Sequence, residues 1–213
     1  MSPRRADRQR QQLAIIGTRV NLPARTILYC EDTDAAWIFI ISEGVVKCFR
    51  ELPSGKRRLA AFLFADDVFG LAENGRYVNT AQAVTGVTMY RIPVDSIIAL
   101  FKREPELEFQ FLSKATHELR EAQRRAIVLT RRDAIGRLAM FLSMLEKDRP
   151  RTSPSAAISI PMSRSDIADY IGMSLEAVSR ASSGLVRHRL VAFDGHVARV
   201  IDRTGFDALV AAL

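Results

Sequence analysis

The sequence predicts an α+β protein made of an N-terminal antiparallel β-roll, a long connecting helix and a C-terminal winged helix-turn-helix. Three observations carry this. Two short helical runs, one after Ser163 and one after Ser174, are separated by Gly172 and followed by β-prone segments around Asp194-Gly195. Residues 13 to 92 break into short apolar runs with turn residues between them, the spacing of a sandwich or roll. Between these halves Leu112, Ala115, Leu119, Ala122, Ala126 and Leu129 recur in alternating steps of three and four.

Composition limits the function classes. The chain has 213 residues, enough for one large or two small domains, and 48% of them are hydrophobic. No apolar run reaches the length of a membrane span, and the first residues lack a signal-peptide core, so a cytoplasmic protein without a membrane partner is expected. A net charge of +7 favours a polyanionic partner. Cys30 and Cys48 sit in apolar, strand-like surroundings and read as reduced, buried thiols, with a disulfide between them the less supported alternative.

In chain order, residues 1 to 12 are charged and apolar-poor, a basic flexible tail or a phosphate-touching arm. The roll is expected over 13 to 104. Its strands are Trp37 to Ile41, Val45 to Phe49, Leu59 to Phe64 and two pieces around Gly86, with a turn at Pro53-Ser54-Gly55-Lys56. Pro93 opens a helix whose apolar stripe is Val94, Ile97, Ile98 and Phe101. Pro105 then breaks that helix or opens the next.

The seam defines a helix over 105 to 132, with Glu118, Arg120, Glu121, Arg124 and Arg125 on its other faces. Such a helix can lie on its own roll. Alanines at alternate positions of a 3.5-residue repeat suit instead two helices packed closely, hence a homodimer with the six seam residues as its dimerisation contacts. Arg131-Arg132-Asp133 marks a hinge, and 133 to 213 forms the last domain. That domain opens with a helix burying Ile135, Leu138, Ala139, Leu142 and Leu145. A turn-rich loop over 147 to 157, a small strand at Ile158-Ser159-Ile160, the helix-turn-helix, the wing, and a short helix with Phe206, Leu209, Val210 and Leu213 follow.

The chemistry lies at the start of the second helix of the pair. Glu176, Ser179 and Arg180 stand at i, i+3 and i+4 and share one face, while Val178 and Leu185 face away and pack. A carboxylate accepting from a cytosine amine beside a guanidinium gripping a guanine fits major-groove readout of double-stranded DNA. The same triplet also describes an ordinary solvated face with an ion pair from Glu176 to Arg180; the capped two-helix frame and the wing favour the DNA reading.

The stretch from Met162 to Ile201 resembles the DNA-binding domain of the Crp/Fnr superfamily, and most resembles the anaerobic-regulator and FixK-type branches, whose recognition helix carries E-x-x-S-R. The resemblance implies a homodimeric transcription regulator, an activator used at low oxygen, working with RNA polymerase on a TTGA…TCAA palindrome. It implies Glu176, Ser179 and Arg180 as base or phosphate contacts, Leu175 against a thymine methyl, and Ser163, Arg164 and Ser174 alongside them. The family places large apolar residues after the arginine and a glycine at the helix end. This chain has Ala181, Ser182, Ser183 and Gly184 inside the helix and Arg189 near its end, which predicts a locally soft recognition helix, because an interior Gly costs about 1 kcal/mol against Ala.

The N-terminal half resembles the superfamily's eight-stranded, cyclic-nucleotide-binding-domain-like jelly roll. Ser42-Glu43-Gly44-Val45-Val46 matches its first turn motif, and Asp67-Val68-Phe69-Gly70 the tail of P-G-D-x-F-G, with Ala65-Asp66 in place of Pro-Gly. The segment from Gly70 to Ala81 lacks a Gly-Glu pair and an Arg beside Thr80, which argues against a cyclic nucleotide. Two cysteines are too few for a four-thiolate cluster, and His117, His188 and His196 lie outside the roll, so no cofactor and no metal are expected. Two other readings stay open: an effector-gated sensor that uses the roll, and a cupin-like metal enzyme, which the absence of histidine between Leu13 and Ile92 disfavours. No nucleophile–histidine constellation presents itself, so no enzymatic activity is expected.

Overall fold

A computed structural model describes residues 16–130, 133–147 and 157–211, except the side chains at 110, 114, 115, 117, 118, 121, 124, 125, 127 and 128. The basic tail, the Arg131-Arg132 part of the hinge and the centre of the 147–157 loop lie outside the described residues. The chain divides into two compact units, Met1–Leu119 and Arg120–Leu213, the division falling inside the long helix.

The first unit is a roll of two four-stranded antiparallel sheets. One has the order β1 (Thr18–Leu22), β10 (Val87–Pro93), β3 (Trp37–Glu43), β6 (Val68–Phe69). The other runs β2 (Ile27–Tyr29), β9 (Thr80–Ala83), β4 (Val46–Glu51), β5 (Arg57–Leu63). A two-stranded hairpin, β7 (Ala72–Glu73) with β8 (Arg76–Tyr77), completes it. The eight strands match the roll expected, and β1, β2 and the small hairpin add pieces the apolar runs did not single out.

Strand β3 explains why its sequence is apolar without alternation. Phe39 and Ile41 face the space between the sheets, where they meet Val46, Cys48, Leu63 and Met89. Ile38 and Ile40 face outward onto Ile97 and Leu100 of α1 (Val94–Arg103) and Leu107 of α2 (Pro105–Thr130). A strand covered on both faces needs apolar residues at every position. The α1 stripe is shifted by this packing: Leu100 is buried and Ile98 is exposed, the reverse of the sequence expectation. Adjacent Ile97 and Ile98 lie about 100° apart on a helix, so only one can point at the outer cluster.

Two turns bear on the sequence reading. Asp66, where the family motif has glycine, adopts φ +78, an angle that Asp tolerates better than most residues. Its backbone N–H donates to Ile41 at 2.8 Å, and the Asp67 carboxylate accepts from the Phe64 N–H at 2.7 Å. Cys30 is not buried: it is exposed at the turn after β2, where its carbonyl accepts from the Thr33 hydroxyl at 2.7 Å. Cys48 is buried, and both thiols are free, so no disulfide joins them.

The second unit packs α3 (Ala134–Lys147), α4 (Arg164–Tyr170), α5 (Leu175–Arg187) and α6 (Arg203–Ala211) against a sheet of order β11 (Ala157–Ser159), β13 (Val197–Val200), β12 (Val191–Asp194). Phe141, Leu142, Met162, Ile171, Leu185 and Phe206 form its dry interior. Arg203 forks onto Glu146, with one N–H···O distance of 2.9 Å, and fixes α6 to α3. The hairpin tip lies one residue later than Asp194-Gly195. Asp194 pairs with Val197, so Gly195 and His196 make the two-residue loop. Gly195 has φ +55 and His196 does not have positive φ, the pattern of a turn with glycine at its first central position.

Helix α5 runs unbroken through Ala181 to Gly184. A Cβ on Gly184 would lie 2.7 Å from Ile135 Cδ1, so the glycine lets α3 and α5 approach closely. The contact with Ile135 compensates the poor helix propensity, an effect that local sequence cannot register.

Candidate nucleic-acid interface

The frame of the candidate interface is set by two serine caps. Ser163 Oγ accepts from the Asp166 N–H at 3.0 Å and donates to the Asp166 carboxylate at 2.8 Å, a side-chain cap on the start of α4. Ser174 Oγ accepts from the Ala177 N–H at 3.1 Å. The first helix ends with Tyr170 and caps at Ile171, one residue before Gly172. Gly172 has φ +64, the left-handed turn that lets α5 set off in a new direction.

On α5, Leu175, Glu176, Arg180, Ser183 and Arg187 are exposed, while Val178, Ala181 and Leu185 are buried. Glu176 and Arg180 therefore stand one turn apart on the open face, with Ser179 half-buried beside them. The Glu176 carboxyl is held below its ordinary range, first by its own backbone N–H, then by the Ser174 hydroxyl, with Arg180 a smaller contribution. An ionised carboxylate and a guanidinium one turn apart present an acceptor and a fork of donors to the same surface. Leu175 is 46% exposed at the head of the helix. Arg164 is exposed at the first position of α4.

Residues that local pattern did not single out hold this frame. Arg137 of α3 donates from Nη1 to the Gly172 carbonyl at 3.0 Å and to the Ile171 carbonyl at 3.4 Å. The guanidinium thus satisfies carbonyls at the end of α4, where a cation is also favoured by the helix dipole. At the other end of α5, Arg189 takes φ +56, the conformation a terminal glycine would supply. His196 at the wing tip donates from Nδ1 to the Ile160 carbonyl at 3.0 Å, while its own carbonyl accepts from the Ile160 N–H at 2.7 Å. Those partners lie 35 and 36 residues away in sequence, so periodicity carries no signal for them.

Of the seam residues, Leu112 and Leu119 are 58% and 60% exposed, and Ala122 and Ala126 are also exposed. The Ala115 side chain is outside the described set. Leu129 is 40% exposed, and its Cδ2 lies 3.1 Å from where a Cβ on Gly172 would be, so it also touches the turn between α4 and α5.

The roll holds a cavity of about 260 Å³ lined by Tyr29, Cys48, Leu63, Phe69, Asn79 and Phe111, among others. None of its described lining residues is charged. Burial pushes the Cys48 thiol up to about 12, so the group facing this space is neutral. Among the described residues no cluster of His, Cys, Asp or Glu is arranged to hold a metal ion, and no helix is long and apolar enough to cross a membrane.

Comparison with known proteins matches both units. Residues 136–209 fit the Crp-like helix-turn-helix domain family, and residues 19–104 the cyclic nucleotide-binding domain family. The chain is 31% identical to the transcriptional activatory protein AadR of Rhodopseudomonas palustris, over 92% of this chain and 83% of that protein. It is 29% identical to the nitrogen fixation regulation protein FixK of Bradyrhizobium diazoefficiens, over 92% of this chain and 84% of that one. Among solved structures, FixK2 from Bradyrhizobium japonicum superposes with a TM-score of 0.84 at 28% identity, covering 93% of this chain and 99% of that chain.

Proposed function

Because the chain belongs to the Crp/Fnr family of transcription regulators, we propose that it is a homodimeric, FixK-like activator that reads a TTGA…TCAA palindrome and controls genes of low-oxygen metabolism. The single observation that carries DNA reading is the exposed Glu176–Arg180 pair on a helix capped at its start and preceded by a turn that Arg137 holds. Arg180 takes a guanine edge, Glu176 a cytosine amine, and Ser179 a base edge or phosphate. Leu175 meets a thymine methyl. Arg164, with Ser163 and Ser174, lies along the phosphates.

The dimer is formed by α2. Leu112 and Leu119, seven residues apart and facing solvent in a single chain, call for a partner surface, and a second α2 with Ala115, Ala122, Ala126 and Leu129 at alternating positions supplies it. A two-fold protein then explains a two-fold DNA site. Activation follows the name of AadR, the low-oxygen role rests on the FixK-type resemblance of the E-x-x-S-R helix, and RNA polymerase is the partner by family membership, in the cytoplasm.

A second reading is favoured by the roll cavity, whose described lining residues are uncharged: DNA affinity gated by a neutral small molecule. Selection of binding sites from random duplex DNA with purified protein tests both. The first reading expects inverted TTGA half-sites to emerge from the protein alone. Emergence only after an effector is added supports the second, and no enrichment at moderate salt overturns both.

A further inference from the structure

We propose that the C-terminal unit carries a small-molecule site of its own, a groove beside α5 that takes an amphiphilic monoanion with an apolar body and one carboxylate or sulfonate head. The groove encloses about 450 Å³, against about 260 Å³ in the roll, and lies in the size range of small-molecule sites, roughly 300–1,000 Å³. Its accessible apolar lining is Val186 of α5, 50% exposed, and half-buried Phe193 of β12, over a buried base of Phe141 and Leu142 of α3, Met162 before α4 and Val178 of α5.

Two features show that the space is kept open and signed. The α5 wall carries two small residues, Ser182 and Ser183, between Val178 and Val186. Ser182 Oγ bonds back to the Val178 carbonyl at 2.9 Å, so its proton is committed and it offers a ligand no donor. At the mouth stand two exposed guanidiniums, Arg164 from α4 and Arg187 from α5, and no carboxylate is among the described residues that line the groove. The wing side is closed by His196, its Nδ1 engaged by Ile160. A bare phosphate would satisfy the arginines and leave the apolar lining uncovered; a neutral hydrocarbon would do the reverse. An amphiphilic anion matches both. Because Arg164 is shared with the DNA contacts proposed above, such a ligand competes with operator DNA; that last clause rests on the DNA reading.

The test uses the full-length protein without DNA, titrated with the fluorescent probe 1-anilinonaphthalene-8-sulfonate and displaced by dodecanoate. One saturable site per chain is expected, weakened at least about tenfold in Ser182→Trp. Ser182→Leu serves as a milder filler, and an unchanged melting temperature certifies either fold. Arg187→Ala should weaken dodecanoate more than dodecanol. Unchanged probe affinity in a folded filler variant overturns the site, as does equal weakening of acid and alcohol. Operator DNA is expected to displace the probe. Simultaneous binding defeats the competition alone, whereas a protein that binds no operator leaves the DNA-free titration to decide the groove.

Discussion

Arg137 and Gly172 are joined by a hydrogen bond of 3.0 Å from the guanidinium to the carbonyl, between the first helix of the C-terminal unit and the turn that aims the recognition helix. A charged donor on a half-exposed turn is worth about 1–2 kcal/mol. Arg137→Met should lower thermal stability by that amount and weaken operator binding more than binding to random duplex, because the turn sets the angle of α5. Competition between the two DNAs in fluorescence anisotropy measures it; equal loss on both would mean that the residue acts on stability only.

Gly172→Ala meets two obstacles: φ is +64, and the new methyl lies 3.1 Å from Leu129 Cδ2. Left-handed backbone for a non-glycine residue costs about 1–2 kcal/mol, so a loss of at least that size is expected in denaturant unfolding. Leu129→Ala in the same chain should return part of it by removing the crowding.

Gly184→Ala should destabilise, although alanine is the better helix former by about 1 kcal/mol. The added Cβ sits 2.7 Å from Ile135 Cδ1. Ile135→Val deletes that atom, so the double variant should be more stable than Gly184→Ala alone. A Gly184→Ala variant more stable than the parent would show that α3 gives way freely.

Arg180→Ala should cost about 1–3 kcal/mol of discrimination at one base pair in each half-site. Mobility shift on single-base operator variants reads this out, and a loss shared equally by operator and random DNA would remove Arg180 from base contact. Leu119→Asp, at a position 60% exposed in one chain, should yield monomers in light scattering and abolish operator binding at ordinary concentrations. A variant that stays dimeric would place the interface elsewhere.

The thiols separate by environment. Exposed Cys30 should react with an aromatic disulfide reagent at pH 8, and Cys48 only after unfolding. Burial raises Cys48 from its ordinary 9.0 to about 12. A raised acid is neutral in both states below the unfolded value. Stability from this group is therefore fully present below about pH 9 and falls as pH rises toward 12. A pH-independent unfolding midpoint across that window would contradict the burial.

Sequence alone determined the two serine caps, the turn at Gly172, the exposed face of Glu176 and Arg180, the roll-like spacing of strands and the leucine–alanine repeat of α2. Each of these depends on neighbours within one or two turns of chain, where residue type and period act directly on the backbone. What only the tertiary structure decided depends on partners far away in sequence. Gly184 is tolerated in mid-helix because Ile135 occupies the space its side chain would need, Leu100 rather than Ile98 turns inward because the roll's outer cluster lies on that side, and Arg137 reaches a turn 35 residues on. Cys30 escapes burial because its strand ends there. Local preference amounts to a few tenths of a kcal/mol up to about 1 kcal/mol per residue. A buried contact or a charged hydrogen bond is worth about 1–3 kcal/mol, so wherever the two compete the distant partner prevails.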